Sequence, residues 1–240
     1  MRIEVRKDYE EASRLAAEVL AGVIREKPDG VLGLATGSTP EGVYRVLVRL
    51  YEEGRLDFSR LHTVNLDEYQ GLAPTHPQSY RAFMQAHLFD HVNIRPENTY
   101  VPDGLCADPA AEGRAYDARI EALGGIDLQL LGVGQNGHIG FNEPGEYLIA
   151  PTHLTPLTDS TITANARFFD SRADVPTHAL TMGMASIMRA RRILLMMCGK
   201  NKHSAYQALL DDRITTEWPV TLLKMHPDVL VICDREAMEG

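Results

Sequence analysis

The sequence predicts a doubly wound α/β fold, Rossmann-like, with a mostly parallel sheet and helices on both faces. Three observations predict it. Short apolar runs of strand length recur along the chain, longer amphipathic stretches separate them, and polar loops rich in small residues follow several runs. Continuous apolar strands alternating with helices belong to parallel sheets that are covered on both faces. In such sheets ligands bind where loops leave the carboxyl ends of the strands.

The elements follow in order. An amphipathic helix is expected over Tyr9–Glu26, then an apolar strand over Val31–Ala35. The helix Pro40–Glu53 comes next, with proline in its first turn, where a missing N–H costs nothing. Leu61–Val64 reads as a strand and Gln78–Phe89 as a helix. Pro109–Leu123 is a helix, Leu128–Gly132 a strand, and Ile193–Cys198 the longest clearly apolar run. Lys200–Leu210 completes the helices and Val229–Cys233 the strands. No repeat, low-complexity tract or long linker interrupts this pattern, so residues 1–240 read as one domain.

Composition narrows the function. The chain has 240 residues, 44% of them hydrophobic, and a formal net charge of −9. A protein that coats nucleic acid or an anionic membrane is usually basic, so neither partner is expected. The N-terminus lacks the apolar core of a signal peptide, and the run Ile193–Cys198 is far too short to span a bilayer. Cys106, Cys198 and Cys233 are odd in number, far apart and without a C-x-x-C, which disfavours a disulfide framework and a cysteine zinc site. A reducing, cytoplasmic setting is the expectation.

Polar loops follow Ala35, Val64 and Leu131. The first, ATGSTP (35–40), runs from a strand into a helix. Small residues, hydroxyls and free N–H groups at a helix start favour an anion, so Gly37, Ser38 and Thr39 form a candidate phosphate cradle. A plain N-cap made by Ser38 or Thr39 is the alternative. The loop is not a Walker A loop, because no Gly-Lys-Ser/Thr follows. The second loop, NLDEYQGL (65–72), carries Asp67 and Glu68. Neighbouring side chains in a strand point to opposite faces, so at most one faces a shared site. Desolvation at the strand edge would make that carboxylate a better base. Taken alone, the pair reads as solvated loop acids.

The third loop, GVGQNGHIGFNEPG (132–145), begins with a G-x-G-x-x-G. A dinucleotide fingerprint needs a helix after its third glycine. Here Gly140, Pro144 and Gly145 follow within eight residues and spoil one, so no nicotinamide cofactor is expected. What remains is a strand-end loop with Asn136, His138 and Glu143. A histidine held by a carboxylate can move protons near neutral pH.

Other candidates are weaker. His87 and His91 have i, i+4 spacing but no third ligand, and read as surface or packing residues, so no metal is expected. Arg167 and Lys202 lie near polar turns, where either could clamp a phosphate. Met182, Met184 and Met188 read as core. No serine sits in a G-x-S-x-G elbow.

The stretches LGLATGSTP (32–40), NLDEYQGL (65–72), HPQSY (76–80), LFDHVNI (88–94), GVGQNGHIGFNEPG (132–145), NARFF (165–169), ALTMG (179–183) and GKNKHSA (199–205) together carry a resemblance. The sequence resembles the glucosamine-6-phosphate deaminases of the glucosamine-6-phosphate isomerase family, over nearly the whole chain. The resemblance implies conversion of glucosamine 6-phosphate and water to fructose 6-phosphate and ammonia, in amino-sugar catabolism, without metal or cofactor. It implies His138 as the base that opens the sugar ring, supported by Glu143 and Asn136. It implies Asp67 as the group that moves a proton between C2 and C1, and Gly37, Ser38, Thr39, Arg167 and Lys202 as the phosphate site. Within that frame the threonine-rich stretch Thr152–Ala166 leading into Arg167 is expected to form a lid, over about 152–177.

Some members of the family have aspartate where this chain has Asn136, so here that residue is expected to orient His138 through hydrogen bonds alone. Allosteric members place basic residues shortly after FNEPG, whereas no Lys or Arg occurs from Glu143 through Ala166. Activation by N-acetylglucosamine 6-phosphate is therefore not expected. The short segment after Val229–Cys233 suggests a monomer or small homo-oligomer. A 6-phosphogluconolactonase would share the phosphate cradle but would not need Asp67, and a sugar-phosphate sensor would have no use for the His–Glu–Asp set. The loops do not distinguish the gluco from the galacto epimer.

Overall fold

The computed structural model describes residues 1–166, 169 and 171–240. The chain opens with strand β1 (Arg2–Arg6), helix α1 (Tyr9–Glu26), β2 (Val31–Leu34) and α2 (Ser38–Glu52). It continues through β3 (His62–Asn65), β4 (Asp67–Tyr69), α3 (Tyr80–His87), β5 (Thr99–Tyr100), α4 (Pro109–Ala122) and β6 (Leu128–Leu131). The last third holds β7 (His153–Pro156), α5 (Asp159–Asn165), β8 (His178–Thr181), α6 (Met184–Met188), β9 (Ile193–Met197), α7 (His203–Leu210), β10 (Val229–Asp234) and α8 (Arg235–Glu239).

Seven strands form one sheet in the order β1-β10-β9-β6-β2-β3-β5, and every pair in it is parallel. Alternation along the strands divides the core in two, because successive side chains point to opposite faces. Leu32, Leu34, Leu128, Leu130, Leu194 and Met196 meet α1, α2 and α3 on one face. Val31, Leu131, Ile193, Leu195 and Met197 meet α4, α6 and α7 on the other. Burial of both faces explains why these strands read as unbroken apolar runs.

The chain steps from β2 outward through β3 to β5, then restarts on the other side of β2 with β6. The loops after β2 and β6 therefore diverge, and the crevice between them is the topological switch point where α/β sheets bind ligands. Loops after β3 and β9 flank it.

The expected helix Tyr9–Glu26 is α1 to the residue. Helix α2 starts two residues before Pro40, which still lies in the first turn. Ser79 caps α3 by accepting from Ala82 N, so that helix begins at Tyr80 rather than Gln78. A 3₁₀ turn, Lys200–Lys202, precedes α7 where a continuous helix was expected. A second, antiparallel sheet, β4-β8-β7, was not expected. It forms because Leu66 alone separates the end of β3 from β4, so the chain passes from one sheet to the other just before Asp67.

Candidate active site

The cradle begins with a backbone turn. Gly37 adopts φ 86° as the residue before α2, and it makes no side-chain hydrogen bond to the helix. Positive φ is accessible to glycine at little cost. The plain N-cap considered for Ser38 or Thr39 is thus not formed, and the first-turn N–H groups keep their capacity for an anion. Tyr9 Oη, from the first turn of α1, fixes this turn from behind. It bonds the carbonyls of Ser38 (2.9 Å) and Thr39 (3.1 Å) and accepts from Gly42 N at 2.8 Å.

The loop after β6 folds back on itself, with Gly134 N donating to His138 O and Gly137 N to Gly134 O. The His138 ring lies so close over Gly134 that a Cβ there would stand 2.3 Å from its Cε1. Gly137 and Gly140 both have positive φ. His138 Nδ1 lies 3.2 Å from Glu143 Oε2, and as the donor to a carboxylate it leaves Nε2 as the free ring nitrogen.

Asn136 acts on His138 through the backbone and through Glu143 rather than through the ring. Its Nδ2 donates to Glu143 Oε2 at 2.8 Å, and its Oδ1 accepts from the His138 backbone N–H at 3.3 Å. It therefore holds the carboxylate and the loop backbone rather than the imidazole. Glu143 Oε1 turns toward α5, where Thr161 Oγ1 donates to it at 2.7 Å. Burial alone would raise the Glu143 carboxyl. The hydrogen bond and charge of His138, with the bonds from Thr161 and Asn136, outweigh burial and hold it at about 2.

Asp67 and Glu68 are not solvated acids, for they are 6% and 2% exposed. They separate as neighbours in a strand must. Glu68 accepts from the backbone N–H groups of Tyr69, Tyr80 and Arg81, and so anchors the start of α3. Asp67 faces the crevice. A Cβ on Gly140 would stand 3.4 Å from Asp67 Oδ2 and 2.9 Å from Thr181 Oγ1, so only glycine leaves room there. Burial, then the negative charge of Glu68, pushes the Asp67 carboxyl up to about 8.

Asp67, Asn136, His138, Gly37, Ser38, Thr39 and Lys202 line one cavity of about 950 Å³. That volume suits a sugar phosphate. Lys202 enters from the loop after β9. Burial lowers its pKa, and among the described residues it has no ion-pair partner. Arg167 lies outside the described residues. Cys198 also lines the cavity, but burial and the charge of Asp234 push its thiol up to about 12, so it is not a thiolate nucleophile. His87 packs against Phe83, with ring centroids 4.2 Å apart, and His91 Nε2 bonds Ala86 O, so neither belongs to the site. Among the described residues no group of three or more His, Cys, Asp or Glu is arranged to hold a metal.

Residues 7–232 match the family described as glucosamine-6-phosphate isomerases/6-phosphogluconolactonase. The chain belongs to that family. A glucosamine-6-phosphate deaminase of Clostridium perfringens is 55% identical, with 99% of this chain and 98% of that protein aligned. One from Thermoanaerobacter pseudethanolicus is 51% identical over 99% of this chain and 94% of its own. A monomeric glucosamine-6-phosphate deaminase of known structure superposes with TM-score 0.97 at 46% identity, covering 100% of this chain and 99% of its own. A 6-phosphogluconolactonase of Trypanosoma brucei, with TM-score 0.77 but 19% identity over 99% of this chain and 97% of its own, shares the fold alone.

Within this family member, some residues at the site were not singled out from sequence. Tyr9 is 29 positions from Ser38, and only the packing of α1 on α2 brings them together. Thr161 lies in the stretch expected to form the lid, but its contact with Glu143 has no local sequence signal.

Proposed function

We propose that the chain converts D-glucosamine 6-phosphate and water to D-fructose 6-phosphate and ammonia. One observation carries this reading: a buried carboxyl raised to about 8, Asp67, shares a cavity with His138, itself paired with Glu143, and with the open start of α2. A lactonase reaction has no use for such a base.

The chemistry follows from the positions. The α2 turn at Gly37, Ser38 and Thr39 and the ammonium of Lys202, together with Arg167, bind the phosphate. Binding energy from that remote group positions C1 and C2. His138 Nε2 takes the O1 hydroxyl proton and passes it to the ring oxygen as the C1–O5 bond breaks, leaving an open-chain aldehyde. Glu143 stabilises the imidazolium formed in that step, and Asn136 holds Glu143. Asp67, once ionised, removes the C2 proton, and the ammonium on C2 stabilises the developing charge. One ammonium proton passes to O1 as the enolamine forms, and the enolamine then takes the C2-derived proton back from Asp67 at C1, which gives an iminium at C2. Water adds to C2 and ammonia leaves, giving the ketone. No cofactor enters this sequence.

The same reading makes the substrate an amino-sugar phosphate and the protein a cytoplasmic enzyme, monomeric or a small homo-oligomer. Among the described residues no helix is long and apolar enough to cross a membrane. It also treats residues 1–240 as one domain, with a lid over about 152–177. Hydrogen exchange across that stretch should slow with a substrate analogue, and unchanged exchange would remove the lid. The reaction itself is tested by incubating glucosamine 6-phosphate with the protein, without added metal or nucleotide. Ammonia and fructose 6-phosphate should appear in equal amounts. Hydrolysis of 6-phosphogluconolactone with no ammonia from the amino sugar would contradict it.

A further inference from the structure

Helix α5 reaches the catalytic loop through Thr161. Thr161 Oγ1 donates to Glu143 Oε1 at 2.7 Å, while Oε2 of the same carboxylate takes Asn136 Nδ2 and His138 Nδ1. The two oxygens thus face different partners: Oε2 serves its own loop and Oε1 serves α5. Thr158, the residue before α5, stands 3.0 Å from Thr161 Oγ1 and 3.4 Å from Glu143 Oε1, and accepts from Thr161 N at 3.2 Å. The Thr161 side chain is therefore oriented from its own helix start. Thr161 is buried, at 8% exposed, and also lines the cavity.

We propose that Thr161 is a positioning residue: its hydroxyl sets the plane of the Glu143 carboxylate and, through it, the direction of the His138 ring. This inference rests on the deaminase reading above. A carboxylate free at Oε1 could rotate about its terminal bond, which is a broad torsion with little intrinsic preference. Its Oε2 would then leave the line of His138 Nδ1. Asn136 cannot prevent this alone, because it grips only the oxygen that His138 also uses. Thr161, at 2.7 Å against 3.4 Å for Thr158, supplies the shorter bond at the second point of attachment, and a carboxylate held at both oxygens has a fixed plane. Because Thr161 sits on α5 rather than on the loop, the pair is properly set only while α5 is seated against it. Ring opening, and not phosphate binding, is the step that depends on this contact.

The test uses Thr161→Val, which keeps shape and volume but loses the hydroxyl, and Thr161→Ser, which keeps the hydroxyl but loses the methyl. Both are assayed for ammonia release from glucosamine 6-phosphate beside the wild type, with circular dichroism melts to confirm folding. Loss of a charge-assisted hydrogen bond predicts that Thr161→Val lowers kcat about tenfold to a hundredfold. KM should stay within about twofold, since a transition-state interaction is lost rather than a binding one. Thr161→Ser should keep kcat within about threefold of wild type. Unchanged kcat in Thr161→Val, a rise in KM alone, or a Ser variant as slow as the Val variant would each overturn the inference while leaving the deaminase reading intact. No ammonia from the wild type would overturn both.

Discussion

Burying Asp67 costs stability, and the cost depends on pH. Its carboxyl sits near 8 in the folded protein against an ordinary value of 3.8. Between those values the unfolded chain releases a proton that the folded chain keeps. Rising pH therefore favours unfolding, and the penalty is fully present above about 8 and absent below about 4. Replacing Asp67 with Asn removes the penalty, which is on the order of a few kcal/mol. Thermal melts of Asp67→Asn should exceed wild type by roughly 5 °C at high pH, and the difference should vanish near pH 4. A variant that melts below wild type at every pH would show that Asp67 stabilises the fold instead. Glu143 runs the other way. With its folded carboxyl at about 2 against 4.5, it contributes stability above about 4.5 that is lost as pH falls toward 2. The two acids thus stand in opposite states: one ionised and paired with a histidine, the other held protonated by burial.

At the scale of elements, the start of α2 makes the cradle and α1 holds it. Tyr9 reaches across from α1 to tie Ser38, Thr39 and Gly42 together. Tyr9→Phe should raise KM for the phosphorylated substrate about threefold to tenfold, with kcat within about twofold, because the hydroxyl braces a binding turn and not the reacting carbons. A fall in kcat at constant KM in steady-state assays would contradict this. Much of this level was legible in the sequence, and the exceptions have physical causes. The apolar runs found β2, β3, β6, β9 and β10, because a central parallel strand must be apolar on both faces. Strand β1, RIEVR, was not found, because it is an edge strand paired only with β10 and three of its five side chains are charged. Strands β4, β7 and β8 were not found either. Each is three or four residues long, and β4 and β7 carry polar side chains whose pairing is settled only when the chain folds. That small sheet is what turns Asp67 into the crevice and Glu68 away from it. The two carboxylates were legible as candidates and the resemblance pointed to Asp67, but the anchoring of α3 by Glu68 was not legible. Asn136 was likewise legible as part of the set, while its partner, Glu143 rather than the imidazole, depended on how the loop folded back.

The whole molecule places four loops, those after β2, β3, β6 and β9, around one switch point. The same fold occurs in 6-phosphogluconolactonases at under a quarter identity, so the fold alone does not decide the chemistry. One consequence belongs to the chain as a whole. No Lys or Arg occurs between Glu143 and Ala166, and the outer oxygen of Glu143 is taken by Thr161. Rate curves for glucosamine 6-phosphate should therefore be hyperbolic and unaltered by N-acetylglucosamine 6-phosphate. A sigmoidal curve made hyperbolic by that compound would contradict this. The central claim is that Asp67 carries the proton from C2 to C1, and the most direct measurement is ammonia release from glucosamine 6-phosphate by wild type and Asp67→Asn. Activity is expected in the wild type and a loss of at least a thousandfold in the folded variant, as when a proton-transfer base is removed. Equal rates in the two proteins would keep the reaction and take Asp67 out of it.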